Sequence, residues 1–286
     1  MESRKFQAHR ACGVSMLVGQ LPGIVPFYEC QVYSETTFLL RQAMGGGTLA
    51  DLLKQRKEAL EHVVQATEEG LTPFLVPLEE SLPIIIDLLR GVQSLASKGV
   101  VHGDLVEDKV FLHEGRAYIG GLESACVPGS ADLGCLAGEL IGSAFRHAPE
   151  MIFGLPTGPS NGVWSLGLIF AAMLFGGSPA DTLVLRELPN TFTLGLDWNM
   201  PGREKIRAAV RDHFSIQEMG EFGRVSKEYA DILALLVGML GPDENRRWSV
   251  LGSLQQAEKV AKARGISVPV PIGPPNLPAS WFEEWS

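Results

Sequence analysis

Residues 95–123, LASKGVVHGDLVEDKVFLHEGRAYIGGLE, determine more about the fold than any other stretch of this 286-residue chain. They begin in the last turns of a predicted helix, which a glycine ends. His102-Gly103-Asp104 comes next, and two short runs of strand-forming residues, 110–112 and 117–119, then flank the turn Glu114-Gly115. The pattern predicts a polar loop held between a helix and a small hairpin.

Helical patterns surround this stretch on both sides. Upstream, apolar residues recur at i, i+3, i+4 and i+7 from Ser81, which is the predicted N-cap of a long helix. Downstream, residues 163–175 (VWSLGLIFAAMLF) are apolar all round, as in a buried core helix, with Asn161 as the predicted cap. Further helices are predicted near 229–240 and 250–264.

The first 43 residues read differently. They predict a short helix and then two strands over 24–33 and 36–43, which are rich in β-branched and aromatic residues. Three glycines, 45–47, end the second strand, and Thr48 can cap the helix that follows. At the other end, residues 266–286 are rich in proline and finish in an acidic aromatic tip, so we expect either a strap on the chain's own domain or a docking peptide.

Composition and charge exclude several classes of protein. A net charge of −9 and a pI of about 5.2 argue against a nucleic-acid partner. No apolar run reaches the roughly 18 residues of a membrane span, and the start lacks the apolar stretch of a secretory signal. The four cysteines are far apart and form no CxxC pair, so we expect neither zinc nor disulfides, but reduced thiols and a cytoplasmic location.

The His-Gly-Asp loop resembles the catalytic loop of protein kinases, H-R-D-L-x-x-x-N. By this resemblance, Asp104 takes the place of the catalytic base and His102 the place of the histidine, while Gly103 replaces the arginine. Residues 37–53 resemble the fifth strand, the hinge and the first helix of the large lobe. The hinge positions that would contact a nucleotide are then Gln42 and Met44.

The resemblance continues downstream in the order that kinases show. Ala148-Pro149-Glu150 matches the A-P-E that closes the activation segment, and residues 163–167, which include Trp164, match the buried helix that usually reads D-V-W-S-L-G. Residues 240–247 are similar to the late segment whose arginine pairs with the A-P-E glutamate. The resemblance therefore implies a buried ion pair between Glu150 and Arg247, with Arg246 as the alternative partner, and structural roles for Glu150, Arg247, Trp164 and His102.

The implied fold is α+β: a protein-kinase-like fold with a reduced β N-lobe and a mostly helical C-lobe. Residues 1–43 would be a partial N-lobe, holding the αC helix and two strands, residues 44–265 the C-lobe, and residues 266–286 a proline-rich tail. The segment YIGGLES after the catalytic loop is more loosely similar to apicomplexan rhoptry kinases and pseudokinases.

The groups that handle ATP in kinases are missing from the matching positions. No G-x-G-x-x-G loop occurs, and the αC glutamate position falls near Cys12. The metal-binding aspartate should follow Tyr118-Ile119, where the sequence reads Gly120-Gly121-Leu122. Lys109 stands at the second metal position, and the loop lysine is Val106. Glu123 is a possible substitute ligand, although its side chain would have to reach back through a loop.

These replacements predict a catalytically inactive pseudokinase that acts as a scaffold or allosteric partner of another protein, with no cofactor. The first alternative is an atypical ATP-dependent serine/threonine kinase that uses Asp104, Glu123 and Lys109, and only this alternative implies ATP and Mg²⁺. The second alternative is a fragment of a longer kinase-like protein, and an incomplete N-terminus would imply a secreted or organellar location.

Overall fold

The N-terminal part of the chain is a helix followed by an antiparallel pair of strands. In the computed structural model these are α1 (Glu2–Val18), β1 (Phe27–Tyr33) and β2 (Thr36–Arg41), and β1 pairs with β2 from Phe27–Arg41 to Tyr33–Thr36. Both strands confirm the prediction, while the helix is longer than expected. The structure describes residues 2–33, 36–41, 44–64, 74–135, 148–152, 158–176, 229–241 and 243–273.

The rest of the described chain is mainly helical. Its helices are α2 (Leu49–Val64), α3 (Leu78–Ser97), α4 (Pro149–Ile152), α5 (Pro159–Phe175), α6 (Ala230–Met239) and α7 (Val250–Ala263). The core lies where α3 packs against α5 and α7, and α5 is buried along nearly its whole length because it is apolar on every face. The architecture is the expected α+β kinase-like one. None of the helices in the described ranges has the length and apolar character needed to cross a bilayer.

The hairpin predicted after the His-Gly-Asp loop is present as β3 (Val110–His113) and β4 (Arg116–Ile119). Its turn places Glu114 and Gly115 at positive φ. The hairpin also joins the two parts of the chain, because Val25 N–H donates to Ile119 O at 2.8 Å and Ile119 N–H donates to Gly23 O at 2.9 Å. These bonds fix the segment after α1 against the strand that leads into the candidate site.

Of the three predicted helix caps, Thr48 is confirmed, Ser81 is wrong, and Asn161 contributes its cap bond from inside its helix. Thr48 caps α2, since its Oγ1 accepts from Asp51 N–H at 3.2 Å while Asp51 Oδ2 accepts from Thr48 N–H at 2.9 Å. Ser81 is not a cap, because α3 already begins at Leu78 and Ser81 is buried within it. Asn161 lies inside α5, where its Oδ1 accepts from Gly158 N–H at 3.0 Å.

The tail begins as a strap on the chain's own domain. Asp87 of α3 is buried, and its carboxylate accepts from Arg116 Nε at 2.8 Å and Nη2 at 2.7 Å. Arg116 Nη2 also donates to Val270 O, and Arg90 Nη1 donates to Pro269 O, each at 2.6 Å. The strap interpretation is thus confirmed at residues 269 and 270, and the aromatic tip lies outside the described residues.

The cysteines contradict the expectation of reduced thiols. Cys12 of α1 forms a disulfide with Cys30 of β1, and Cys126 forms one with Cys135, with Cα–Cα distances of 5.8 and 5.0 Å. The expectation was wrong because distance along the chain does not determine distance in space. Helix α1 folds back on β1, and the loop after residue 126 returns to its own start.

Candidate functional site

His102 links the His-Gly-Asp loop to the segment that follows β4. Its ring is buried, Nε2 lies 2.8 Å from Gly120 O, and Asp104 N–H donates to Nδ1 at 3.3 Å. Both contacts require the neutral tautomer with its proton on Nε2. The structure therefore places His102 as a bridge between the backbone at Asp104 and the backbone at Gly120, and uses both ring nitrogens to do so.

Burial lowers the pKa of His102 below its usual value, because an imidazolium would lose its hydration in this position. The hydrogen bond to Gly120 O and the negative charges of Asp104 and Glu123 oppose that shift without overcoming it. Protonating Nδ1 would also cancel its bond from Asp104 N–H. His102 is thus held neutral, in the form that makes both of its hydrogen bonds.

We expect the chain to lose stability as the pH falls below about 6.5, where a histidine in the unfolded chain takes up a proton and His102 in the folded chain does not. Between the lowered pKa and that value the unfolded state binds more protons, so the free energy of unfolding rises with pH, by up to about 1.4 kcal/mol per unit. Chemical denaturation from pH 7 to pH 5 measures the slope. His102→Gln should flatten it, and an equal slope in that variant would contradict the assignment.

Gly103 stands where kinases have arginine, and its surroundings admit no side chain. Its φ is +80°, and a β-carbon there would lie 2.7 Å from Ser124 O. Since a backbone carbonyl cannot swing aside as a side chain can, the loop has a shape that requires glycine. The backbone conformation therefore requires glycine at the position where kinases have arginine.

Lys109, at the second metal position, lies against the glycine pair Gly120-Gly121 that stands where kinases have the metal-binding aspartate: Gly120 N–H donates to Lys109 O at 2.9 Å, and the Lys109 side chain covers Gly121. Gly121 has φ +67°, and a β-carbon on it would lie only 2.2 Å from Lys109 Cδ. Lys109 then extends to Glu123, with Nζ 3.8 Å from Oε2. The lysine stem thus fills the space in front of the glycine, and its ammonium takes a carboxylate as its counter-ion.

These residues do not fit a divalent cation. Mg²⁺ needs oxygen ligands, and the two positions present an ammonium and a glycine. Glu123, the possible substitute ligand, pairs with Lys109. Within the described ranges, no group of three or more His, Cys, Asp or Glu side chains could hold a metal ion.

The other positions that the resemblance places around a nucleotide give little support for nucleotide binding. Cys12, near the expected αC glutamate, is bonded to Cys30 and offers no carboxylate. Met44 is half-buried at the start of the hinge turn, and Gln42 lies outside the described residues. Asp104 is half-buried beside His102, where its charge raises that residue's pKa, and its role as a base stays a prediction.

The predicted ion pair between Glu150 and Arg247 is present. Arg247 Nη1 donates to Glu150 Oε1 at 2.6 Å and Nη2 donates to Oε2 at 2.8 Å, with both side chains almost fully buried. Arg247 also donates to Gly241 O and Ser160 O, and its guanidinium lies 5.1 Å from the ring centre of Trp164. The pair ties the short helix α4 to the start of α5 and to the loop before α7.

Sequence reasoning missed two features near the site. It did not predict the ion pair between Lys109 and Glu123, whose Nζ and Oε2 lie 3.8 Å apart. It also dismissed both disulfides, and the available signal was the even number of cysteines. The cysteine pairings themselves depend on the folded chain.

Comparison with known proteins supports the family. The family model of the protein kinase domain matches residues 11–259. The chain is 24% identical over 161 residues to human serine/threonine-protein kinase PAK 4, which covers 56% of this chain and 24% of the relative. It is 26% identical over 137 residues to the US3 homologue, a serine/threonine-protein kinase of varicella-zoster virus, covering 48% of this chain and 32% of the relative.

A third relative is the MAP kinase kinase kinase wis4 of Schizosaccharomyces pombe, 24% identical over 208 residues, covering 67% of this chain and 13% of that protein. The chain thus spans a third or less of the lengths of these relatives. The narrower resemblance to rhoptry kinases is not shown by these comparisons and stays a prediction. With the family model matching most of its length, and with the loop, hairpin and Glu150–Arg247 pair in place, the chain belongs to the protein kinase domain family.

Proposed function

We propose that this chain is a catalytically inactive kinase domain that acts by binding another protein. The observation that carries the proposal is the Lys109 side chain lying across Gly121 and paired with Glu123. Phosphoryl transfer depends on neutralising the charge of the phosphates with bound metal ions. Here neither metal-ligand position carries a side chain that could bind a metal ion. The positive charge between them is the ammonium group of Lys109.

Asp104 cannot supply the missing chemistry by itself. A general base acts only on a hydroxyl that is already positioned beside a bound phosphate donor. The loop that carries Asp104 has glycine in place of arginine, and Val106 in place of the lysine that would contact the phosphate. The side chains that would position the phosphate donor are therefore absent from the loop around Asp104.

The parts that maintain the fold are kept. Glu150, Arg247 and Trp164 form a buried cluster that joins the end of the activation segment to the large lobe. His102 is held neutral and hydrogen-bonded through both ring nitrogens. Retention of these contacts beside the loss of the metal positions favours a protein whose function needs the kinase shape rather than the kinase reaction.

The relatives carry serine/threonine kinase names, so the test must be able to reveal an active site. We expect the melting temperature of the purified chain to stay unchanged with ATP alone, with ATP and Mg²⁺, and with ATP and Mn²⁺. A ligand at about 100 times its Kd stabilises a folded protein by roughly 2.7 kcal/mol, or about 5–10 °C for a domain of this size. A kinase domain with intact motifs, measured beside it, controls the reagents.

A shift that depends on metal would contradict the proposal and favour the atypical serine/threonine kinase. Transfer of labelled phosphate to a generic acceptor protein would then be compared between the wild type and Asp104→Asn. Transfer by the wild type that Asp104→Asn abolishes would establish catalysis by this residue. The absence of transfer by either protein, with no shift, supports the binding function.

A further inference from the structure

The two disulfides lie on either side of one contact, between α1 and the beginning of the activation segment. Cys12–Cys30 ties α1 to β1, and Cys126–Cys135 closes a loop just after the short 3-10 turn Leu122–Ser124. Helix α1 packs directly on that turn. In protein kinases the αC helix and the activation segment are the elements that move between states. By the kinase resemblance, α1 corresponds to αC.

The loop between Cys126 and Cys135 is compact. Val127 N–H donates to Leu133 O at 2.7 Å, Ser130 N–H donates to Val127 O at 3.1 Å, and Leu133 N–H donates to Ser130 Oγ at 3.0 Å. The disulfide thus closes a turn whose backbone already folds back on itself.

The same loop is joined to the catalytic loop. Cys126 and Val101 exchange both of their backbone hydrogen bonds, each at 2.9 Å. Val101 immediately precedes His102, whose ring holds the segment at Gly120. A displacement of Cys126 would therefore be transmitted to the His-Gly-Asp loop.

The two disulfide-linked elements meet at a glycine. Gly13, next to Cys12, faces Leu133 so closely that a β-carbon on the glycine would lie 2.6 Å from Leu133 Cδ2. Leu133 is the residue whose backbone N–H and C=O both bond within the closed loop. A continuous path of covalent and packed contacts thus runs from β1 through α1 to the catalytic loop.

We propose that the two disulfides form a redox-dependent lock that holds α1 and residues 126–135 in a single arrangement. Each disulfide forms when two thiols give up two protons and two electrons to an oxidant of the disulfide class, which is reduced to two thiols. Oxidised, the chain offers a partner a preformed surface. Reduced, it must order that surface on binding, which weakens association. The effect on association rests on the proposed binding function, whereas the lock itself does not and is tested separately.

The lock implies an oxidising environment for the working protein, since structural disulfides persist there and are rare where glutathione keeps thiols reduced. Both bonds also join elements that the fold already brings together, as the contacts of α1 with β1 and the hydrogen bonds inside the loop show. Reduction should therefore loosen these two elements and leave the helical core folded.

Hydrogen exchange read by mass spectrometry tests the lock on the whole chain. Protein folded in a glutathione redox buffer should carry four cysteines that resist alkylation until a reductant is added. On reduction, exchange in peptides covering residues 9–18 and 126–135 should rise on the order of 100-fold, the factor that loss of a short closed loop implies. Peptides from α5 should not change, because that helix is the buried centre of the domain.

Two paired variants separate the bonds. Cys126→Ser with Cys135→Ser should show the fast exchange over 126–135 without reductant, and Cys12→Ser with Cys30→Ser should show it over α1 and β1. Unchanged exchange on reduction overturns the lock, as does free alkylation of the oxidised protein. Fast exchange throughout α5 in both variants overturns it as well, because the bonds would then hold the whole fold rather than these two elements.

Discussion

Glu150→Ala is expected to lower the melting temperature by roughly 6 to 20 °C. The substitution leaves the Arg247 guanidinium buried without its carboxylate, and breaking such a pair typically costs about 3–5 kcal/mol. For domains of this size each kcal/mol corresponds to about 2–4 °C. Differential scanning calorimetry at neutral pH measures the change, and the unfolding enthalpy shows whether the transition stays cooperative.

Glu80→Ala provides the matched control. Glu80 pairs with Arg56 at 2.7 Å, a distance similar to that in the buried pair, but the two side chains are 36% and 42% exposed. An exposed pair contributes about 0–1 kcal/mol, so the melting temperature should hardly move. Equal losses in the two variants would show that burial of Glu150 is not the cause. In the double variant Glu150→Ala, Arg247→Met the loss should be smaller than the sum of the single losses, because no uncompensated charge remains.

Gly103→Ala is expected to destabilise the chain by about 2–5 kcal/mol, although it adds only a methyl group. The left-handed backbone at φ +80° costs an L-residue roughly 1–2 kcal/mol, and forcing an atom into packed surroundings costs about 1–3 kcal/mol more. The added atom would lie 2.7 Å from Ser124 O, which belongs to the backbone and cannot rotate away. Urea denaturation of both proteins gives the difference.

Gly115→Ala measures the backbone part of this effect alone, so that the difference between the two variants gives the steric part. Gly115 has φ +73°, but nothing lies within 4 Å of the β-carbon position, so only the backbone cost of about 1–2 kcal/mol should appear. If both alanine variants lost the same stability, the contact with Ser124 O would have no role. The comparison also bears on function, because a chain that rejects alanine at residue 103 cannot regain the kinase arginine there without moving the loop.

The residues that could be predicted from sequence are those whose partners lie in motifs with a fixed place in the kinase fold. Glu150 and Arg247 belong to two such motifs, and they pair as predicted although 97 positions separate them. The hairpin after the catalytic loop and the apolar helix α5 were also predicted, because their patterns are local. The prediction of Ser81 as a cap was wrong, since α3 begins earlier, at Leu78 after Pro77, while Asn161 contributes to the cap of α5 from the third helical position.

The sequence by itself therefore determined the family and the α+β fold, and it predicts the loss of the metal-binding side chains. Only the tertiary structure decided three other features: the contact of Lys109 with Gly121 and Glu123, the two disulfides, and the arginines that hold the strap at Pro269 and Val270. A local pattern is set by neighbours along the chain, whereas an ion pair or a disulfide depends on which side chains the fold brings within a few ångströms. Those distances exist only once α1 lies on β1 and the hairpin lies on α3.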